Sequence, residues 1–341
     1  ANTFTDAVSN NNTAATQFNW TYDNVVPTIT GVSLAANNAT IAVTMSEAVF
    51  NTNGGSGALQ ASDFALSISG GAATLTSATP SSISSSGNVY TLGIGLSGTP
   101  NGSEVLKVMP VDNGIYDAVG NEASDSTQSN NTATLNDKVS PIMTITATDG
   151  SNAVADGATT NDATLTVTFT SSEATSNFAA SDITVSGGAI SNFAATSSTV
   201  YTATFTPSAA GATTIDVAAN TFTDAASNNN TAATQFNWTY DNVVPTMTIT
   251  ATDGSNAVSD GATTNDATLT VTFTSSEATT NFAASDITVS GGAISNFAAT
   301  SSTVYTATFT PSAAGATTID VAASTFTDAA GNNNTAATQF N

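Results

Sequence analysis

The chain of 341 residues contains 25 acidic residues, two lysines, no histidine and no cysteine, and its formal net charge is −23. This charge argues against nucleic acid and anionic membrane surfaces as direct partners, and the lack of cysteine excludes disulfides and thiol chemistry. The sequence contains no run of about 18 apolar residues, so we expect no membrane insertion in this segment.

Residues 1–26 repeat residues 219–244 with a single substitution. We therefore expect them to be the C-terminal hairpin and strand of a preceding, truncated domain, and the whole sequence to be a window from a longer repetitive protein. A strand without its sheet leaves unpaired backbone groups, so residues 13–22 should be frayed or paired with another chain. We call residues 1–26 the leading segment.

An Asp-x-x-x-Pro signature occurs three times and marks the predicted domain boundaries, at Asp23–Pro27, Asp137–Pro141 and Asp241–Pro245. It divides the rest of the chain into a divergent domain (27–140), an upstream repeat (141–244) and a downstream repeat (245–341) whose last strand is truncated. The two repeats differ at five aligned positions: Ile142/Thr246, Ala155/Ser259, Ser176/Thr280, Asn220/Ser324 and Ser227/Gly331.

Alternating apolar residues predict β-strands throughout the chain, and no stretch shows a helical period. In the divergent domain the pattern begins at Ile29 and continues through Ile41/Val43/Met45, Phe64/Leu66/Ile68, Tyr90/Leu92/Ile94 and Leu106/Val108. In the upstream repeat it runs from Met143/Ile145/Ala147 to Phe236/Trp238/Tyr240, with threonine on the wet face. About seven short strands per 100 residues predict an all-β fold of tandem Ig-like Greek-key β-sandwich domains in an end-to-end array.

The motifs Ser-Glu-Ala, Asp-Ile-Thr-Val, Tyr-Thr-Ala-Thr-Phe-Thr-Pro and Asp-Ala-Ala-Gly-Asn resemble those of bacterial Ig-like tandem repeats in giant cell-surface adhesins. The resemblance covers residues 141–341 and the leading segment, and extends to residues 27–140 through Ser46-Glu47-Ala48 and Asp117–Asn121. It implies an extracellular, stalk-like and adhesive cell-surface protein. Ser227 stands where that family has glycine, so we expect a strained turn there.

A catalytic function is not expected. Without His, Cys or Arg, the chain lacks most nucleophile–base pairs and phosphate clamps. A two-carboxylate hydrolase needs only acidic residues, but near-identical repeats would then carry duplicate active sites, and no tryptophan-lined sugar cleft is evident. Trp20 and Trp238 alternate with other apolar residues on strands, which predicts that both are core residues.

Greek-key strand order brings three acidic residues to each predicted junction: one from the incoming linker, one after the second strand and one opening the last hairpin. Bare carboxylates about 4 Å apart repel by about 4 kcal/mol at an effective dielectric near 20, and a calcium ion with oxygen ligands would reverse that sign. Asn121, Asn228, Asn230, Asn332 and Asn334 are possible further oxygen donors. The predicted calcium ligands are Asp23, Glu47, Asp117, Asp137, Glu173, Asp224, Asp241, Glu277 and Asp328.

The alternative is that these acids only cap turns and bond loop amides. For Asp63, Asp182 and Asp286 a turn role is favoured over participation in the site. A second acidic loop, Asp149–Asp162 and its copy Asp253–Asp266, belongs at the opposite end of each repeat and does not follow EF-hand spacing.

The favoured interpretation is a structural or adhesive segment of a long extracellular surface fibre, stiffened by Ca²⁺ between neighbouring repeats. One alternative is the subunit of a self-assembling extracellular filament or surface lattice, which binds other copies of itself through exposed strands. Another is an adhesin module that binds a glycan or a cell-surface ligand through residues 27–140.

Overall fold

The computed structural model describes residues 1–341, and almost all of its regular structure is β-strand. The residues form two compact units, 1–139 (unit 1) and 140–341 (unit 2). Three hydrophobic cores are present, one in unit 1 and two in unit 2. The finer division at residues 26, 140 and 244 stays a prediction. The helical elements are three single-turn 3₁₀ helices, Ala61–Asp63, Ala180–Asp182 and Ala284–Asp286, and none of them has the length to cross a bilayer.

Unit 1 is a β-sandwich of antiparallel sheets. One sheet has the strand order β1-β2-β6-β5, the other has the order β3-β8-β9, and β4 pairs with β7. In Ig lettering these are the ABED and CFG sheets, as the sequence predicted. The strands are β1 (Ile29–Leu34), β2 (Thr40–Met45), β3 (Phe64–Ser69), β4 (Thr74–Leu75), β5 (Ile83–Ser86), β6 (Val89–Gly93), β7 (Leu96–Ser97), β8 (Val105–Pro110) and β9 (Thr132–Thr134).

The core of unit 1 follows the predicted alternation. Ile41 and Val43 of β2, Leu92 of β6, and Leu106 and Val108 of β8 are completely buried. Successive side chains of a strand point to opposite faces, so each strand contributes every second residue to the space between the sheets.

One buried acid of unit 1 was not predicted from the sequence. Glu104 is completely buried, and its carboxylate accepts hydrogen bonds from the backbone N–H groups of Ala72 (2.8 Å), Ala73 (3.0 Å) and Asn101 (3.0 Å). Gly71 adopts a φ of +62°, and a Cβ atom there would overlap the Glu104 carboxylate. Glu104 therefore joins two loops of unit 1 through a single side chain.

The upstream repeat is a two-sheet sandwich with strand orders β11-β10-β13-β16-β15 and β12-β18-β17-β14. All pairs are antiparallel except β12 with β18, which run parallel. The alternation of apolar residues does not reveal β11 and β12, because each has only two or three residues. The strands are β10 (Met143–Thr148), β11 (Ala153–Val154), β12 (Ala158–Thr160), β13 (Leu165–Ser171), β14 (Ile183–Ser186), β15 (Gly188–Ala195), β16 (Val200–Pro207), β17 (Gly211–Val217) and β18 (Phe236–Tyr240).

Trp238 closes the core of the upstream repeat. It is 2% exposed, and its ring lies 6.0 Å from that of Phe205 in an edge-to-face arrangement. Its indole Nε1 donates to Thr160 Oγ1 (2.9 Å), and Thr213 Oγ1 donates to its carbonyl oxygen (2.8 Å). The prediction that Trp238 is a core residue is confirmed, with its polar atoms satisfied as a buried indole requires.

The downstream repeat has the same first sheet, β20-β19-β21-β24-β23, but its second sheet contains only β22 and β25. Phe340 forms an isolated antiparallel bridge with Ile319 in place of a last strand. The strands are β19 (Met247–Thr252), β20 (Ala257–Val258), β21 (Leu269–Ser275), β22 (Ile287–Ser290), β23 (Gly292–Ala299), β24 (Val304–Pro311) and β25 (Thr318–Val321).

The leading segment lies outside the three cores. It contains one isolated bridge, Thr5–Asn11, and residues 13–27 form no strand. Trp20 is 72% exposed, so the prediction that it is a core residue is wrong. The physical reason is that no sheet lies beside it, whereas the identical sequence around Trp238 is paired on both sides.

The strained turn predicted at Ser227 is present: its φ is +68°, and Gly331 at the equivalent position has a φ of +95°. We expect Ser227→Gly to stabilise the upstream repeat by about 0.5–1 kcal/mol, because relief of left-handed strain exceeds the entropy that glycine adds to the unfolded chain. Chemical denaturation followed by Trp238 fluorescence, in a Trp20→Phe background, measures the shift. The reciprocal change Gly331→Ser should destabilise the downstream repeat. Equal denaturation midpoints for the parent and the Ser227→Gly variant would show that the backbone at Ser227 is not strained.

Candidate metal centres

The junction signature folds into a tight turn closed by its aspartate. Asp241 Oδ1 accepts a hydrogen bond from the N–H of Val243 (3.0 Å), and Asp23 Oδ1 does the same for Val25 (3.0 Å). This side chain-to-backbone bond two residues along the chain is an Asx turn. It fixes one carboxylate oxygen and leaves Oδ2 available for another partner.

The second acid of each group opens the last hairpin and is held rigidly. Asp328 is 4% exposed, and its two oxygens accept the backbone N–H (2.8 Å) and the side-chain Nδ2 (2.9 Å) of Asn332. Asp117 is 1% exposed and is held in the same way by Asn121, with further bonds from the backbone of Val119 and Gly120. Burial by itself raises the pKa of Asp117, but these hydrogen bonds outweigh it and hold the pKa below its ordinary value.

The third acid of each group follows the second strand of its sandwich. Glu277 comes after β21, and its Oε2 atom is shielded from solvent and has no hydrogen-bond partner. Burial raises the pKa of Glu277, and the charges of Asp241 and Asp328 raise it further. Burial, Asp117 and Asp23 likewise raise the pKa of Glu47.

These acids meet as the sequence predicted in the two groups that lie within one unit. One carboxylate oxygen each from Asp241, Glu277 and Asp328 lies within 4.8 Å of the others, and Asp23, Glu47 and Asp117 form the same arrangement in unit 1. Asn332 Nδ2 also donates to the carbonyl oxygen of Asp241 (3.0 Å), as Asn121 Nδ2 does to that of Asp23 (3.3 Å). The asparagine thereby ties the linker to the hairpin on which the buried aspartate sits.

The remaining predicted group divides between the two units. Glu173 and Asp224 belong to unit 2, and their carboxylate oxygens lie within 4.8 Å of one another. Asp224 is 3% exposed and is held by Asn228 through both carboxylate oxygens. Asp137 belongs to unit 1, and its part in this group stays a prediction.

The donor set suits a hard cation. Three carboxylates within 4.8 Å supply up to six oxygens, and an oxygen that accepts one hydrogen bond retains a second lone pair. Calcium takes six to eight oxygen ligands and tolerates irregular geometry. Turn capping accounts for the aspartates, which bond loop amides, but it does not account for Glu277, whose shielded oxygen caps nothing.

The asparagines predicted as further oxygen donors make local hydrogen bonds. Asn230 and Asn334, predicted as possible oxygen ligands, use their Oδ1 atoms to accept backbone N–H groups of Phe222 and Phe326 (3.0 Å each). Their part in a metal site stays a prediction. Asn121 and Asn332 turn their amide nitrogens, which are donors, toward the carboxylates. The sequence shows only that an asparagine is present. It does not show whether the amide oxygen or the amide nitrogen faces the carboxylates.

The other acidic positions take the local roles that the sequence favoured. Asp182 Oδ2 accepts the N–H of Ala179 (2.9 Å) at the start of its 3₁₀ helix, and Asp286 does the same for Ala283 (2.8 Å). In the second acidic loop, Asp149 Oδ1 accepts the N–H groups of the following turn, and hydrogen bonds from Asn152 and Ser151 hold the pKa of Asp149 below its ordinary value.

Comparisons with solved structures gave matches of low similarity. Invasin, a bacterial integrin-binding protein, matches at 15% identity and a TM-score of 0.31, over 86% of this chain and 56% of that structure. Yersinia pseudotuberculosis InvD matches at 14% identity and a TM-score of 0.33, over 87% of this chain and 92% of that one. Bacteroides ovatus SGBP-B, solved with a mixed-linkage heptasaccharide, matches at 12% identity and a TM-score of 0.17, over 91% of this chain and 66% of that structure. The chain thus spans about half the length of the invasin structure.

A search of curated protein sequences gave no significant match. The family model of the bacterial Ig-like domain matches residues 137–240 and 241–341, which together make up more than half of the sequence. Both matches begin at an aspartate of the junction signature, and the first of them contains all nine strands of the upstream repeat. With the ABED and CFG sheets already described, this match establishes that the chain belongs to the bacterial Ig-like domain family, in tandem copies.

Proposed function

We propose that this chain is a segment of an extracellular, surface-exposed stalk of Ig-like domains arranged end to end, in which calcium ions bind at the junctions and restrict bending. The observation that carries the proposal is the Asp241–Glu277–Asp328 group, whose members come from the linker and from two loops of the downstream repeat. An ion held by all three ties the linker to the domain that follows it. The role is structural, with no reaction catalysed.

The near identity of the two repeats supports this function over diversified ligand binding. The substitutions between them leave the acidic residues of the junction groups unchanged. A stalk gains length from each further copy, and each domain of such an array contacts only its neighbours. The expected affinity is that of extracellular calcium modules, about 10⁻⁴–10⁻³ M.

Calcium titration of the metal-free chain tests the proposal. Isothermal titration calorimetry should detect binding in the stated range, and small-angle X-ray scattering should show a longer and narrower distribution of particle lengths with calcium than with chelator. Asp125→Asn is the matched control, because it removes one negative charge from an exposed residue outside the acidic groups. Identical scattering profiles with and without calcium would rule out stiffening, and absence of heat would rule out the site.

A further inference from the structure

Asparagine followed directly by glycine occurs three times in the chain, at Asn53-Gly54, Asn101-Gly102 and Asn113-Gly114, always in a loop of unit 1. This dipeptide is chemically reactive. The main-chain nitrogen after the asparagine can attack the side-chain amide, and glycine has no Cβ atom to hinder the approach. Because the dipeptide is the same at all three places, the folded surroundings decide which of the three asparagines reacts.

Asn101 is held by the loop of the buried Glu104. Its N–H donates to the Glu104 carboxylate (3.0 Å), and its Oδ1 accepts the N–H of Ser103 (3.1 Å). Gly102 has a φ of +77°, and a Cβ atom there would lie 3.3 Å from the Cβ atom of Asp137. Attack by the Gly102 nitrogen requires the main chain and side chain of Asn101 to turn, and these contacts oppose that movement.

Asn113 is held through both residues of its dipeptide. Its Oδ1 accepts the hydroxyl of Tyr116 (3.1 Å), and its N–H donates to Glu122. Gly114 is buried, and its N–H donates to the carbonyl of Val111 (2.9 Å), so the attacking nitrogen is itself occupied. A reaction that requires two hydrogen bonds of ordinary strength to open is slowed about tenfold or more.

Asn53 has none of these restraints. It lies in the turn Thr52–Gly55, which is closed by a hydrogen bond from the N–H of Gly55 to the carbonyl of Thr52 (3.3 Å). Asn53 and Gly54 are exposed, and neither the side-chain amide of Asn53 nor the N–H of Gly54 has a hydrogen-bond partner. Beyond its adjacent residues, no atom lies within 4 Å of where a Cβ atom of Gly54 would be. Both reacting groups are therefore free and open to water.

We propose that Asn53 is a site of spontaneous modification, at which the side-chain amide becomes a carboxylate while Asn101 and Asn113 stay intact. The nitrogen of Gly54 loses its proton to solvent and forms a bond to Cγ of Asn53. The bond from Cγ to Nδ2 breaks, and the amide nitrogen leaves as ammonia, so a cyclic imide remains. Water then opens the imide at either carbonyl and gives aspartate or isoaspartate at this position. Nothing is oxidised or reduced.

The modified residue adjoins the loop that Asp117 holds. A Cβ atom on Gly120 would lie 2.6 Å from the carbonyl oxygen of Asn53, and the N–H of Gly120 donates to Asp117 Oδ1 (2.7 Å). A Cβ atom on Gly55 would overlap the carbonyl of Ala118. The two loops therefore fit closely. Either product places a new carboxylate against the loop of a candidate metal centre, and isoaspartate also adds one main-chain atom to the turn.

The test is incubation of the folded chain at mildly alkaline pH, followed by chymotrypsin digestion and mass spectrometry. Chymotrypsin cleaves after aromatic residues and leucine, which places the three asparagines in separate peptides. The Asn53 peptide should gain the mass difference between an amide and an acid, and its two acidic forms should separate in chromatography. Asn101 and Asn113 should react about ten times more slowly or less. The rate at Asn53 should rise with pH, because the attacking nitrogen must lose a proton.

Two controls separate the fold from the local chemistry. In urea-unfolded protein the three asparagines should react at comparable rates. Gly54→Ala should fold, because a Cβ atom there meets nothing and its φ is not left-handed, and it should slow the reaction at Asn53 by hindering the attack. Equal rates at the three asparagines in the folded chain overturn the proposal. So does an Asn53 that stays intact while the unfolded chain reacts, and so does an undiminished rate in Gly54→Ala.

Discussion

Replacing Glu277 by Gln is expected to change stability in opposite directions with and without calcium. In metal-free protein the variant should be as stable as the parent or more stable, because a shielded carboxylate beside Asp241 and Asp328 is replaced by a neutral amide. With calcium at about a hundred times its dissociation constant, the parent gains about 2.7 kcal/mol at each site. The variant should lose most of that gain at its altered site, since an amide oxygen replaces a charged ligand.

Differential scanning calorimetry with calcium and with chelator measures this crossover, and isothermal titration calorimetry should show one fewer bound ion in the variant. Asp125→Asn is again the control for the loss of one charge, and it should shift both conditions equally. If Glu277→Gln lowers the melting temperature by the same amount with calcium and with chelator, Glu277 has a purely structural role and the cation site is refuted.

The pH dependence of the metal-free protein provides an independent check on Glu277. Its pKa in the folded protein is raised above the ordinary value of 4.5, so the folded state takes up a proton more readily than the unfolded state. This proton contributes stability that is fully present below 4.5 and is lost as pH rises through the folded pKa. The stability of the parent relative to Glu277→Gln should therefore improve on acidification, and a constant difference across that range would contradict the raised pKa.

Replacing Glu104 by Ala is expected to destabilise unit 1 by about 3–5 kcal/mol, because each unpaired buried donor costs about 1–3 kcal/mol. The substitution leaves the N–H groups of Ala72, Ala73 and Asn101 without their acceptor. This is a large share of the stability of a small domain, which is about 5–15 kcal/mol. Urea denaturation followed by circular dichroism should show that unit 1 of the variant unfolds at a much lower urea concentration than unit 1 of the parent.

Glu104→Gln is the informative companion, because the amide keeps one acceptor oxygen in the same place and should recover part of the loss. Burial raises the pKa of Glu104, but the backbone hydrogen bonds outweigh it and leave the pKa below its ordinary value of 4.5. Its contribution is then present above 4.5 and lost as pH falls through the folded pKa. The difference in stability between the parent and Glu104→Gln should accordingly shrink in acid. An unchanged urea midpoint for Glu104→Ala would show that the hydrogen bonds of Glu104 do not stabilise unit 1.

The alternation of apolar residues was sufficient to predict the β-sandwich fold, but it did not predict which strands lack a neighbouring strand. The alternation at Ile41/Val43 and at Leu165/Val167 gives the buried face directly, since these side chains are completely buried. Periodicity does not separate Trp20 from Trp238, because the residues around them are identical and only the neighbouring strands differ. Burial of an aromatic side chain is a property of the sheet that receives it, and a local pattern does not contain that information.

The acidic groups were predictable because Greek-key topology assigns each loop to an end of the sandwich. Asp241, Glu277 and Asp328 are far apart in sequence, yet strand order alone brings them together. Glu104 was not predictable in this way. It follows Pro100–Ser103, a sequence typical of an exposed turn, and the N–H groups that hold it come largely from a loop far earlier in the chain.

The parallel pairing of β12 with β18 has a consequence for a repeat under tension. The first of these strands lies near the start of the upstream repeat and the second at its end, so a force that pulls the start of β12 and the end of β18 apart slides the strands along each other. The bonds from Gly157 N–H to the Asn237 carbonyl (2.8 Å) and from Asp241 N–H to the Thr160 carbonyl (2.9 Å) are then loaded together in shear. Bonds loaded together must break together, whereas an antiparallel hairpin pulled from its open end unzips one bond at a time. The pair of β12 and β18 therefore resists a force along its own strands more strongly than an antiparallel hairpin would.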